Sequence, residues 1–145
     1  MKKTALRHSL EQFIKKYPIQ FRGVNINAAE FYLDLESDND LILEIINEGA
    51  NYGQFLAIIR MILNNERNSD IYKKEDEGVY AMRIRNKTNN SRIYCQDYWI
   101  NGKRIIVMSK AVRHKAVVKN NAEILSKILS IQKTTFILKQ IKDEE

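Results

Sequence analysis

The sequence predicts an α+β fold, in which a small antiparallel β-sheet of three to four strands packs against N-terminal helices and is followed by a C-terminal helix. Apolar residues recur at helical spacing in the first half of the chain, and from Val79 onward they alternate as in strands. Asn101-Gly102 lies between two alternating segments, and both residues tolerate the positive φ of a tight hairpin turn. With 145 residues the chain has the size of one domain with its own core.

The N-terminal half is predicted to be helical. A first helix runs from Thr4 to Tyr17 and is ended by Pro18. Asn27 and Glu30 have the spacing of a capping box and open a second helical segment, AAEFYLDLES. The segments LILEIINEG and GQFLAIIRMILNN then continue the helical pattern.

The C-terminal half is predicted to supply the sheet. Its strands are VYAMRIR, RIYCQDYWI and KRIIVM. The last of these contains the run IIVM, which is apolar on both faces, so we expect it to be a central strand covered by helices. Asn120 and Glu123 cap a closing helix.

The charge balance favours a polyanionic partner. Lys and Arg number 24 against 18 acidic residues, a net charge of +6. Between Met82 and Lys119 ten basic residues stand against Asp97 alone. The single cysteine, Cys95, cannot form an internal disulfide, which indicates a reducing, cytoplasmic location. No segment is apolar enough to span a membrane, so we expect no membrane partner.

The first two strands are predicted to present a cationic face. If Ile84 lies opposite Ile93, Arg85 faces Arg92 and Arg83 faces Tyr94. Because side chains alternate along a strand, these four residues share one face, and the other face carries Met82, Ile84, Ile93 and Cys95. Arginines match phosphate oxygens, and a tyrosine can stack on a base or transfer a proton, so the set is typical of an RNA or phosphodiester site. The alternative interpretation is a solvated face that is ion-paired with carboxylates of the helical half.

A short basic segment follows the third strand. It contains Lys110, Arg113, His114 and Lys115. The ordinary pKa of histidine, about 6.5, would suit His114 as a general acid or base if the segment folds back over the sheet. No Cys/His group has zinc spacing, there is no phosphate-binding loop, and DLESDND lacks the glycine and glutamate of a calcium loop. We therefore predict neither a metal nor a cofactor.

From Ile58 to Ile124 the order of parts resembles the RelE/ParE toxin superfamily, in particular its HigB-like, phage-derived branch. The matching features are an amphipathic helix, EGVYAMRIR, NSRIYCQDYWINGKRIIVMSKAVRHK, and NNAEI leading into a helix. The resemblance covers roughly the C-terminal half, and residues 1–26 would be a helical extension of a single RelE-like domain.

The resemblance implies the toxin of a toxin–antitoxin system, a metal-independent endoribonuclease that cleaves mRNA on the ribosome. In such enzymes the RNA 2′-hydroxyl attacks the neighbouring phosphate, so the protein must hold the backbone in line and stabilise the developing charge. The catalytic candidates are Arg83, Arg92, Tyr94 and His114. The RNA-binding candidates are Arg85, Lys110, Arg113 and Lys115. The expected partners are a cognate antitoxin, mRNA and the ribosome, while the sequence leaves the oligomeric state open.

Two alternatives share the implied fold. One is a ParE-like inhibitor of DNA gyrase, which acts on a protein and need not cleave anything. The other is a non-catalytic nucleic-acid-binding or regulatory domain that keeps the basic face. The sequence departs from the family pattern at Arg113-His114, where paired lysines are usual, and this leaves the identity of the proton-transfer residue open.

Overall fold

The computed structural model describes residues 2–7, 18–86, 89–113 and 121–140. Within these ranges the strands are β1 (Lys2–Arg7), β2 (Ala29–Asp34), β3 (Tyr72–Asp76), β4 (Val79–Asn86), β5 (Asn89–Ile100), β6 (Lys103–Val112) and β7 (Thr135–Lys139). The helices are α1 (Asn39–Asn47), α2 (Asn51–Leu63) and α3 (Asn121–Gln132). The strands form one mixed sheet in the order β3-β4-β5-β6-β2-β1-β7. Strand pairs β2/β6 and β1/β7 are parallel, and the other neighbours are antiparallel.

The predicted fold class is wrong, because the sheet has seven strands of mixed direction and is not a small antiparallel sheet against N-terminal helices. Residues 4–7 belong to β1, so the first predicted helix cannot begin at Thr4. Residues 8–17 of that prediction lie outside the described ranges. The segment AAEFYLDLES, which is predicted to be helical, instead contains the strand β2. Phe31, Tyr32 and Leu33 are buried on alternating faces of the sheet, as in a central strand.

The remaining predicted elements are confirmed. Helices α1 and α2 correspond to LILEIINEG and GQFLAIIRMILNN, and α3 is the closing helix, whose predicted cap residue Asn120 lies outside the described ranges. Strands β4, β5 and β6 match the three predicted strands, and φ is 50° at Asn101 and 79° at Gly102, as a tight turn requires. Strand β6 is the central strand, and its run Ile105–Met108 is buried.

The sheet has two differently covered faces. On the α1/α2 face, Met82, Ile84, Ile93 and Cys95 pack with the buried side of α2, including Phe55. On the α3 face, an apolar cluster joins strand residues to the inner side of α3. Its members are Val79, Ala81, Tyr94, Val112, Ile124, Ile128 and Ile131. On β4 this apolar cluster ends at Ala81. Arg83 and Arg85 lie further along the same face of β4, beyond the residues that pack against α3.

Within the described ranges, no helix has both the length and the apolar character that a membrane crossing requires.

Candidate nucleic-acid interface

Strands β4 and β5 bring three arginines together on the α3 face. Arg83 lies directly opposite Arg92, and Arg85 lies opposite Asn90. The predicted register, with Arg85 opposite Arg92, is wrong by two residues, because pairing continues to Asn86 and Asn89 and leaves a shorter connection than the predicted turn NKTNN. A shift of two residues keeps every side chain on its face. The prediction that Arg83, Arg85, Arg92 and Tyr94 share a face is therefore confirmed. We call Arg83, Arg85 and Arg92 the arginine face.

Arg92 is the buried centre of the arginine face. It is 6% exposed, and its Nη1 donates hydrogen bonds to Asn90 Oδ1 at 2.6 Å and to the Ser91 carbonyl at 3.3 Å. Burial lowers the pKa of Arg92, and the positive charges of Arg83 and Arg85 act in the same direction. The surroundings of Arg92 therefore disfavour the charged form of its side chain.

Among the described residues, none of the three arginines forms an ion pair with a carboxylate. Arg83 donates to the Ser69 carbonyl at 3.3 Å, and this acceptor carries no charge. The charge of Glu75 on β3 favours the charged guanidinium of Arg92, although the two side chains form no ion pair. Helices α1 and α2 pack on the opposite face, so their carboxylates do not neutralise the arginine face as the alternative interpretation required. The arginine face is therefore suited to an anion from outside.

Tyr94 shares the face but is part of the core. It is 1% exposed and packs in the apolar cluster beneath α3. Burial, together with the charge of Glu75, raises the pKa of Tyr94 to about 12, so the phenol keeps its proton near neutral pH. These surroundings do not support the stacking or proton-transfer role predicted for Tyr94, because both need an accessible ring or hydroxyl.

The predicted basic segment does not join the arginine face in the described part of the chain. Arg113 reaches the other side of the sheet, where it pairs with Glu48 of the α1–α2 connection at 2.7 Å and with Glu44 of α1 at 3.1 Å. The Glu48 hydrogen bond, despite partial burial, helps to raise the pKa of Arg113. Lys110 lies opposite Tyr94 but points to a separate polar cluster. His114 and Lys115 lie outside the described residues.

No protein-family model, curated protein or solved structure matches this chain. Its site must therefore be interpreted from its own geometry. In the described ranges no group of three or more His, Cys, Asp or Glu side chains is placed to hold a metal ion.

The α1/α2 face carries a groove that the sequence did not reveal. Its volume is about 630 Å³, and it lies beyond the end of α2. Tyr72 and Tyr80 stack in it with ring centroids 4.9 Å apart, and Trp99 is 61% exposed at its edge. This exposure places Trp99 outside the core. The alternation of side chains along β5 could have indicated this groove, because Trp99 lies two residues after Asp97 and therefore on the same face, and both residues line the groove.

Proposed function

We propose that this protein binds the sugar–phosphate backbone of RNA through the arginine face. The observation that carries the proposal is the convergence of Arg83, Arg85 and Arg92 on one sheet face with no carboxylate ion pair among the described residues. Three adjacent arginines repel one another, and a buried guanidinium such as Arg92 is disfavoured unless an anion pairs with it. The net charge of +6 supports the same class of partner.

Strand geometry sets the spacing at which the three arginine side chains leave the backbone. Residues two apart on a strand are separated by roughly 6.6 Å, and directly opposed residues on antiparallel strands have Cβ atoms about 4.5 to 5.5 Å apart. Arg83 is thus adjacent both to Arg85 along β4 and to Arg92 across to β5. A guanidinium presents forked donors that fit phosphate oxygens in pairs. The arrangement favours phosphate contacts, which position a nucleic acid without selecting its sequence.

RNA binding is tested by fluorescence anisotropy with a labelled single-stranded RNA at low salt. Arg85→Gln is expected to weaken binding about fivefold for every sequence tried, because it removes one phosphate contact. Arg60→Gln is the matched control, since Arg60 is exposed on α2 and the change removes the same charge from the opposite side of the sheet. Equal affinities for Arg85→Gln and Arg60→Gln would contradict the proposal.

The narrower proposal is the toxin function that the resemblance implies, cleavage of mRNA on the ribosome. In it, the arginine face would bind the scissile phosphate and stabilise its developing charge, while Tyr94 would only support the strand from beneath. We expect primer extension in a purified translation system to show ribosome-dependent cuts that disappear with the double change Arg83→Gln and Arg85→Gln. Uncut mRNA at high concentrations of a protein that binds RNA would leave binding in place and exclude cleavage.

A further inference from the structure

A second polar cluster lies at the carboxyl ends of the parallel strands β2 and β6. At its centre is Ser37, in the connection from β2 to α1. Lys3 of β1 donates from Nζ to Ser37 Oγ at 2.7 Å, and Lys110 of β6 donates to the same oxygen at 3.0 Å. Three distant parts of the chain thus place two ammonium groups on one hydroxyl. We call Lys3, Ser37 and Lys110 the lysine–serine cluster.

The hydrogen-bonding capacity of the Ser37 hydroxyl decides which role is left for it toward a ligand. A hydroxyl has one proton to donate and two lone pairs to accept with. Lys3 and Lys110 occupy both lone pairs, so Ser37 is left as a donor. No acceptor for its proton is present among the residues that the structure describes. Ser37 is only partly buried, and each ammonium group has further N–H donors. The cluster therefore offers the hydroxyl proton of Ser37 and the remaining N–H groups of the two lysines as donors.

The lysines around the cluster differ in their ion pairs. Asp34 is fully buried and lies 4.0 Å from Lys3 Nζ, and Asp38 lies 3.7 Å from Lys127 Nζ. Both carboxylates are also held by hydrogen bonds within the fold, Asp34 from Ser109 Oγ and Asp38 from the Ala111 amide.

Lys110 is the third cation of this region. Unlike Lys3 and Lys127, it has no ion pair in the described structure, and the carboxylate of Glu36, next to Ser37, accepts from the Thr4 amide. Burial, followed by the charge of Lys3, lowers the pKa of Lys110, although Asp38 and Asp34 oppose this. An anion bound beside Lys110 would supply the ion pair that it lacks.

We propose that the lysine–serine cluster is a binding site for a phosphate group. Lys3, Lys110 and the Ser37 hydroxyl each donate to an oxyanion, and its charge compensates the third lysine. The location agrees with the rule that ligands of open sheets bind beyond the carboxyl ends of parallel strands. The site is separate from the arginine face, which lies on β4 and β5, and it does not depend on RNA binding.

The test is calorimetric titration with inorganic phosphate at constant ionic strength, balanced with chloride. Wild-type protein is expected to bind one phosphate saturably, and Ser37→Ala and Lys110→Met are each expected to weaken binding at least tenfold. Lys74→Met, which removes a charge on β3, and Arg83→Gln with Arg85→Gln are both expected to bind as wild type. The double arginine variant separates this site from the proposed function, since it loses RNA and keeps phosphate.

Ser37→Ala keeps the test decisive if Lys110→Met does not fold, because it removes only one hydroxyl. No saturable binding by wild-type protein, or equal binding by wild type and Ser37→Ala, would overturn the proposal. A second titration compares a trinucleotide with and without a 5′-phosphate. If only the phosphorylated form competes with phosphate, the site accepts terminal phosphates of RNA. If neither competes, the site accepts small free phosphates.

Discussion

Replacing Asp97 with Ala is expected to lower the free energy of unfolding by about 3 to 5 kcal/mol, the usual cost of removing one partner from a buried ion pair. Asp97 accepts from Arg104 Nε at 3.0 Å, from Arg104 Nη2 at 2.7 Å and from the Tyr72 hydroxyl at 2.7 Å. The side chain of Asp97 is only 4% exposed and that of Arg104 is 15% exposed. Burial alone would lower the pKa of Arg104, but the hydrogen bonds and charge of Asp97 outweigh it and raise the pKa. Without Asp97, a largely buried guanidinium has lost its counter-charge.

Urea denaturation measures this effect, with Trp99 fluorescence as the probe and far-UV circular dichroism as a second one. Glu77→Ala is the control, because the Lys74–Glu77 pair is 3.5 Å long but well exposed, and surface pairs contribute little. A shift in Asp97→Ala no larger than in the control would contradict the account of this pair.

Replacing Arg92 with Met is expected to have opposite effects on stability and on RNA binding. Met fills much of the same space without a charge, so the variant no longer buries a guanidinium beside Arg83 and Arg85. We expect the free energy of unfolding to rise by about 1 kcal/mol, within the range seen when buried charges are replaced by apolar groups. We expect RNA affinity to fall by about tenfold, because a charge in the least hydrated part of the arginine face is lost.

Thermal unfolding and RNA anisotropy on the same preparation test the Arg92→Met prediction. Arg60→Met is the control for both, and it should change neither quantity appreciably. Lower stability together with unchanged RNA affinity would show that Arg92 is a structural residue only. The opposite signs are expected because functional sites keep groups that the fold itself disfavours.

The predictable elements are those whose signals are local. The turn at Asn101-Gly102 and the alternating strands around it need only their own residues, and α2 has a long apolar stripe. Strands β3 and β7 are short and mostly exposed, so they have no clear apolar pattern. The helical prediction for the β2 segment is wrong because the Asn27–Glu30 spacing does not mark a helix start: Asn27 belongs to a turn, in which Asn25 Oδ1 accepts from the Asn27 amide. Pairing with β6 then fixes the segment as a strand.

For the candidate sites, too, the predictable features depend on local sequence, and the others depend on residues that are distant in the chain. The shared face of the arginines follows from the period of two along a strand, and it survives an error of two residues in register. The burial of Tyr94 depends on α3, and the pairing of Arg113 depends on Glu44 and Glu48 near α1, which are far away in sequence. The lysine–serine cluster joins residues 3, 37 and 110, so no local pattern could reveal it.

The most direct test of the central claim is the salt dependence of RNA binding. The logarithm of the binding constant for single-stranded RNA should fall linearly with the logarithm of salt concentration. Each phosphate contact that is removed should reduce the slope by about 0.7, so Arg83→Gln with Arg85→Gln should reduce it by about 1.4 relative to wild type. Slopes that agree between wild type and the double variant would show that the arginine face does not contact the phosphate backbone.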